Sequence, residues 1–321
     1  IQAINPDNAT AYIQQWNFGI QRQLTPNTAL ETNYVGSKIL HLQDIWNPNQ
    51  QFPGNGDPLS HMPYGPMVGR LFSIGQFKDN RGWQWYNSLQ VTLTKRFSDG
   101  LSFLTNYTWS HANGLAMCSL CQVQHQNILD LNADRGNSGT DFRHRFNASW
   151  LYQLPFGHGK TYMSNASGVT NVLVGGWQFG GIALIQAGEA YNVSGGAGRP
   201  NRICNGNAPP GGHTLQRWFD PSCFPLPAAV PDTVNGGVYI PYGNSGFNPL
   251  IGPGIVNFDL SVFKSFPIRE TTRLEFRSEF FNAFNTAHFG LPLSSVPSSS
   301  AGRIVSAGPA RQIQMSLLLF F

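Results

Sequence analysis

The sequence predicts an all-β chain, folded as an antiparallel transmembrane β-barrel of about nine long strands with long extracellular loops. Three observations carry that expectation. Charged residues make up 11% of the chain while aromatics reach 13%, against roughly 25% charge in an ordinary soluble domain. Segments of about 9 to 13 residues alternate apolar and polar side chains, long enough to cross a bilayer at a tilt. The connections between them run short, long, short, long, as in barrels with short periplasmic turns and longer extracellular loops.

Composition removes the competing classes. No run of about 18 apolar residues exists for a membrane-spanning helix. Abundant aromatics and a net charge of only +4 argue against disorder. The 20 Lys and Arg residues are scattered singly, so no basic stripe offers itself to nucleic acid. Ile1 is followed by neither a basic n-region nor an apolar h-region, which leads us to expect a signal peptide already removed.

The elements follow in order. In Ile13–Leu24, Trp16, Phe18 and Ile20 share one face and Gln15, Asn17, Gly19 and Gln21 the other. After Thr25-Pro26-Asn27 the chain returns through Leu30, Thr32 and Tyr34, with Glu31 and Asn33 opposite. Ser88–Phe97 sets Leu89, Val91 and Leu93 against Gln90, Thr92 and Thr94, and a Ser98-Asp99-Gly100 turn leads into Leu101–Trp109. Phe142–Leu154 alternates Phe146, Ala148, Trp150 and Tyr152 with Arg145, Asn147, Ser149 and Gln153. Trp177–Ala187 is strand-like, its pattern blurred by Gly180, Gly181, Ile182 and Leu184. Val256–Phe266 and Thr271–Asn282 follow across a short turn. The last segment sets Ile313, Met315, Leu317, Leu319 and Phe321 against Gln312, Gln314 and Ser316.

A soluble β-sandwich would also alternate. Loops of 30 to 70 residues without helical periodicity are uncommon in compact soluble domains, however, and here residues 35–87 and 188–255 are read as such loops. Nine strands is odd, whereas a closed barrel of the bacterial type needs an even number. Residues 1–9, broken by Pro6 and Asp7, are too short for a tenth. The expectation is one unit over residues 1–321, the C-terminal portion of a larger barrel, with no plug domain.

Asn132-Ala133-Asp134-Arg135-Gly136 followed by Asp141-Phe142-Arg143-His144-Arg145-Phe146 resembles a motif of TonB-dependent outer-membrane receptors. It is more narrowly similar to the Oar-like, carboxypeptidase-regulatory-domain-containing group of Acidobacteria. Three further blocks match in family order. These are Gly176-Trp177-Gln178-Phe179 with Gln186-Ala187-Gly188, Gly252-Pro253-Gly254 running into Asn257-Phe258-Asp259-Leu260-Ser261, and Glu279–Asn285 with His288-Phe289-Gly290. The resemblance implies a 22-stranded barrel in a bacterial outer membrane, a plug inside it, and uptake of an extracellular nutrient energised through TonB. Neither plug nor TonB box is present in these residues, so the implied partners are membrane lipid, the missing plug and strands, TonB through a missing N-terminal region, and an unidentified ligand. The family's barrels end on an amphipathic strand and a terminal aromatic read by the assembly machinery, which makes Phe321 the expected sorting signal.

Arg273, Glu275, Arg277 and Glu279 alternate on one strand with Asp259 expected beside them. They are read as lumen-facing, an inward ladder of cross-strand ion pairs, because charge facing lipid at midplane costs ~2–4 kcal/mol. Cys118-Ser119-Leu120-Cys121, flanked by His111 and His125, has the spacing of a zinc or redox pair. In an exported loop oxidation removes the thiolates zinc needs, so Cys118–Cys121 and Cys204–Cys223 are read as disulfides, and Cys118, Cys121, His111 and His125 remain only weak metal candidates. Asp130, Asn132, Asp134, Asn137 and Asp141 form an oxygen-rich loop that lacks the glycine and terminal Glu of a calcium loop, and ordinary turn chemistry is preferred.

No cofactor is expected. Nucleophile elbows, zinc-protease helices and phosphate loops are missing from the sequence. Ser261-Val262-Phe263-Lys264 matches a Ser-x-x-Lys motif, but on a strand residues i and i+3 point to opposite faces. The chain is therefore expected not to be an enzyme. A hydrolase or metal enzyme built in the loops, or a structural or adhesive surface protein, stands as the alternative.

Overall fold

The computed structural model describes residues 2–68, 76–115, 125–269 and 271–321. Nine long strands form: β1 (Tyr12–Thr25), β2 (Thr28–Trp46), β3 (Gln76–Ser98), β4 (Leu101–Gly114), β5 (His144–Gln153), β6 (Trp177–Gln186), β7 (Ile255–Pro267), β8 (Arg273–Phe281) and β9 (Gln312–Phe320). Each pairs antiparallel with the next, a simple meander. Among the described residues the outer edges of β1 and β9 stay unpaired, so the sheet is an open barrel wall.

Register shows why these residues make one wall. Ile20 lies opposite Thr32, Thr32 opposite Val91, Val91 opposite Tyr107, Tyr107 opposite Phe146, Phe146 opposite Ile185, and Ile185 opposite Val256. A second row on the same face runs Leu101, Tyr152, Phe179, Val262, Ser278 and Met315. One apolar face is therefore continuous through all nine strands, since a slip of one residue anywhere would reverse it. That face is bare: Phe18 is 68% exposed, Ile20 61%, Met315 67% and Leu317 64%. Apolar side chains left outside on this scale need lipid as solvent.

The blurred alternation of β6 has a steric cause. A Cβ at Gly181 would stand 2.3 Å from Cζ2 of Trp150, so the glycine is the floor on which the neighbouring indole lies. Gly36 serves Trp16 in the same way.

One expectation is overturned at the long-loop end. Residues 35–46 and 76–87 are strand rather than loop, making β2 19 and β3 23 residues long. About 9–11 residues cross a bilayer, so this hairpin rises far beyond it, with register shifts at Leu40/Leu42 and Leu42/Asp44. Outside the membrane neither face meets lipid, polar Asp44 can be as buried as apolar Leu42, and the period-two signal disappears. Residues 2–4 pair in parallel with Gln76–Lys78 at the far end of β3, a three-residue contact that adds no tenth strand to the meander.

Short links (26–27, 99–100, 154–176, 268–272) gather at one end of the wall and long ones (47–75, 115–143, 187–254, 282–311) at the other. Among the described residues the buried apolar cluster lies in the long loops. Tyr191, Val193, Phe219, Cys223, Phe224 and Leu250 of loop 187–254 pack with Val296 and Ala301 of loop 282–311, and Phe219 and Leu250 are wholly buried.

Candidate functional site: the long-loop cap

Loops 47–75, 115–143 and 187–254 join through a buried ionic cluster, and loop 282–311 joins them through the apolar one. His125, in loop 115–143, is 6% exposed between two carboxylates. Its Nε2 lies 2.6 Å from Asp44 Oδ2 on β2, and its Nδ1 lies 2.7 Å from Asp134 Oδ2. Carboxylates only accept, so both ring nitrogens must donate and the ring is an imidazolium. Burial alone would lower its pKa, but the hydrogen bonds and charges of Asp134 and Asp44 outweigh it and raise the pKa to about 9.

Arg199, from loop 187–254, pairs with the other oxygen of Asp134. It also donates from Nε to the Ser245 carbonyl at 2.6 Å and from Nη2 to that of Ala133 at 3.0 Å. Gln126 accepts from the Arg199 backbone at 2.6 Å and donates to the Gly243 carbonyl at 2.8 Å. Gln50 of loop 47–75 donates to the carbonyls of His125 and Gln126 at 3.0 and 2.9 Å. Arg81 on β3 stands 3.2 Å from Asp79, 4.0 Å from Asp44, and over the Trp46 ring. Three carboxylates thus meet three cations, the balance a buried cluster needs.

A second tie joins loop 47–75 to loop 187–254. Asp232 accepts from the backbone N–H groups of Asn55 (2.6 Å), Asn235 (3.0 Å) and Val234 (2.8 Å). These bonds, that of Asn55 foremost, hold its carboxyl below the usual range. Cys204 and Cys223 are disulfide-bonded with S–S 2.02 Å, stapling the segment that carries Phe219. Between loops 115–143 and 187–254 lies a recess of about 380 Å³ lined by Asn113, Asn132, Asn137, Asn244 and Arg135.

The residues singled out in the sequence fall as follows. Cys118 and Cys121 lie outside the described residues. His125 has no free nitrogen, and His111 is 3.0 Å from Asp141 Oδ2, so each histidine is engaged by a carboxylate. The oxygen-rich loop is dispersed: Asp134 serves His125 and Arg199, Asp141 accepts from the Ala112 backbone at 2.8 Å, and Asn137 exchanges amide bonds with Asn248. The Asp134–Phe146 motif is thus a clamp returning a long loop onto β4 and β5. His144 completes it 2.9 Å from the Tyr107 hydroxyl.

Asp259, Arg273, Glu275, Arg277 and Glu279 share the polar face, but the cross-strand ladder is corrected. Arg277 pairs with Glu275 on its own strand. Its neighbours across the sheet are Phe263 and Ser316, and those of Glu279 are Ser261 and Gln314, none of opposite charge. Asp259 accepts instead from the Asn282 backbone at 2.8 Å and fixes the exit from β8. Ser261 and Lys264 stand on opposite faces, as the strand geometry requires. Asp44 and Arg199 carried no local signal, being separated in sequence from the loop they hold.

The profile of the outer membrane beta barrel domain matches residues 1–314. The chain belongs to that family. No curated protein matches it. Among solved structures, this barrel domain is similar to the siderophore receptor PiuA from Acinetobacter baumannii at 9% identity and TM-score 0.47 over 96% of the chain. It is similar to BauA, the ferric preacinetobactin receptor of the same organism, at 10% identity and TM-score 0.46 over 96%. The ferric-catecholate import receptor Fiu from K12 E. coli aligns at 12% identity and TM-score 0.45 over 98%. The barrel domain spans 28%, 29% and 28% of those chains respectively. All three are described as receptors.

Proposed function

We propose that this outer-membrane barrel domain is the C-terminal part of a TonB-dependent receptor of the Oar-like, Acidobacteria type, and that its cap binds an extracellular nutrient for TonB-energised uptake. The observation that carries the proposal is the union of the four long loops into one folded cap at a single end of a lipid-facing wall. A barrel needing only to span the membrane has no use for a cap with its own core and buried charge cluster. The edges of β1 and β9, unpaired among the described residues, suit a wall continued by further strands. Asp259, Arg273, Glu275, Arg277 and Glu279 would then line the lumen opposite a plug.

The test is fitness profiling of the host across iron-limited and carbon-limited media, with the gene intact, deleted, or lacking residues 190–250, in energised and TonB-deficient cells. The proposal expects a growth defect on a defined nutrient that appears equally on cap deletion and on loss of TonB. A defect independent of TonB, or none on cap deletion, would remove it. Cysteine labelling of intact cells should reach sites in 190–250 and spare 268–272, which fixes the orientation separately.

A further inference from the structure

A helix occupies the longest of the short-end links, Gly168–Val174, seven residues. Its C-terminal end rests on the apolar face of the wall. Trp177 and Lys264 lie opposite one another on that face, and the Trp177 indole N–H donates to the Leu173 carbonyl at 2.8 Å. Lys264 donates to the carbonyls of Leu173 and Gly175 and is itself buried at 3% exposure. A lysine on a lipid-facing surface is costly, and here the helix's terminal carbonyls cover it, the end that favours a cation. The helix is therefore pinned to the outer side of the wall. Pinned there, it still turns apolar side chains outward: Val169 is 75% exposed, Val172 52% and Leu173 65%.

Beside the helix, between this link and the 268–272 turn, is a cleft of about 640 Å³. From the link and the turn its walls carry the cations Lys160 and Arg269, Arg273 and Ser265 close it from the polar face of the wall, and the described lining residues include no carboxylate. Phe156 and Phe266 supply apolar wall. Cations fringing an apolar surface at the membrane boundary fit an anionic headgroup with its acyl chains alongside.

We infer that this short-end rim binds the phosphate headgroup of an anionic phospholipid in the adjoining leaflet, Lys160 and Arg269 meeting the phosphate while Val169, Val172 and Leu173 rest on the acyl chains. The occupant follows from charge complementarity at Lys160 and Arg269 and from the helix, which is pinned to the lipid-facing side of the wall. The helix alone would suit any lipid, and the cations alone any anion. Their adjacency selects a lipid that is also an anion.

The experiment is native mass spectrometry of the full chain extracted from outer membranes in detergent, titrated with phosphatidylglycerol, phosphatidylcholine or inorganic phosphate. Bound phosphatidylglycerol should exceed phosphatidylcholine about tenfold, and K160A/R269A should bring it down to the phosphatidylcholine level with heat-modifiable folding unchanged. Equal retention of the two lipids overturns the inference, as does displacement of phosphatidylglycerol by millimolar inorganic phosphate. A photoreactive benzoylphenylalanine in place of Val172 decides independently of the double variant's folding. Cross-linking in membranes to phospholipid supports the site, and cross-linking to a polypeptide overturns it.

Discussion

Raising the pH through 9 should loosen the cap while leaving the wall intact, because the cap is held by an imidazolium. The His125 pKa rises from 6.5 to about 9 on folding, and the group is buried, so solvent screening is small. A shift of that size is worth about 3 kcal/mol. The folded state binds the proton more tightly, so this stability is complete below about pH 6.5 and is lost as pH rises through about 9. Between pH 7 and pH 10 the cap should lose about 2–3 kcal/mol, or roughly a 50-fold rise in the open fraction.

The assay is the rate at which a protease cuts loop 187–254 in outer-membrane protein across that range, normalised to an unfolded substrate. His125→Gln supplies no charge and leaves Asp44 and Asp134 facing one another with Arg199. It should be cut fast already at pH 7 and show no alkaline step, since breaking a buried pair costs about 3–5 kcal/mol. A wild-type profile flat to pH 10, or a step that survives His125→Gln, would refute the imidazolium. At the acid end the sign reverses. Asp232 titrates below its ordinary value in the folded cap, so its contribution holds at neutral pH and is lost as pH falls through its folded value.

Gly181→Leu should disrupt the wall, because its Cβ would meet Trp150 at 2.3 Å; overpacking of this kind costs about 1–3 kcal/mol, and Trp150→Ala should restore the heat-modifiable band. Cys204→Ser should cost the cap about 3 kcal/mol, from a bridge spanning 19 residues, read as faster trypsin cutting at Arg202 and Arg217 with wall folding unchanged. Phe321→Asp should lower the assembled fraction in outer membranes several-fold more than Gln314→Asp, because Phe321 extends the apolar face of β9 and Gln314 lies on the polar one.

The wall was legible in the sequence and the cap was not, for one physical reason. Where a strand has lipid on one side and polar groups on the other, each residue's face is written in its own chemistry, as in Gln312–Phe320. The limits of that rule are visible at β2 and β3. Beyond the bilayer, Lys78, Asp79, Asn80 and Arg81 follow one another with no alternation, and a strand there reads as a loop. Within the cap the ties are non-local. His125 and Asp134 are close enough in sequence to be noticed, first as zinc and calcium candidates. Their partners are 81 residues away at Asp44 and 65 at Arg199, and nothing in a single sequence joins them.

The two solutions also differ in what they specify. Packing among Val193, Phe219, Phe224 and Val296 draws loop 187–254 to loop 282–311, yet apolar contact is non-directional and does not by itself fix one arrangement. The ionic cluster is directional. Asp134 must satisfy His125 through one oxygen and Arg199 through the other, and His125 must reach Asp44 with its far nitrogen. Those conditions are met together only when loop 115–143, loop 187–254 and the raised end of β2 occupy one relative placement. A buried cluster of this kind is weak support for stability in general, but an arrangement with one partner missing strands a buried charge, which penalises every alternative. The cap therefore presents its amide-lined recess of about 380 Å³ as a preformed surface. A ligand binding there would meet residues already positioned and would bear little of the ordering cost that flexible loops impose.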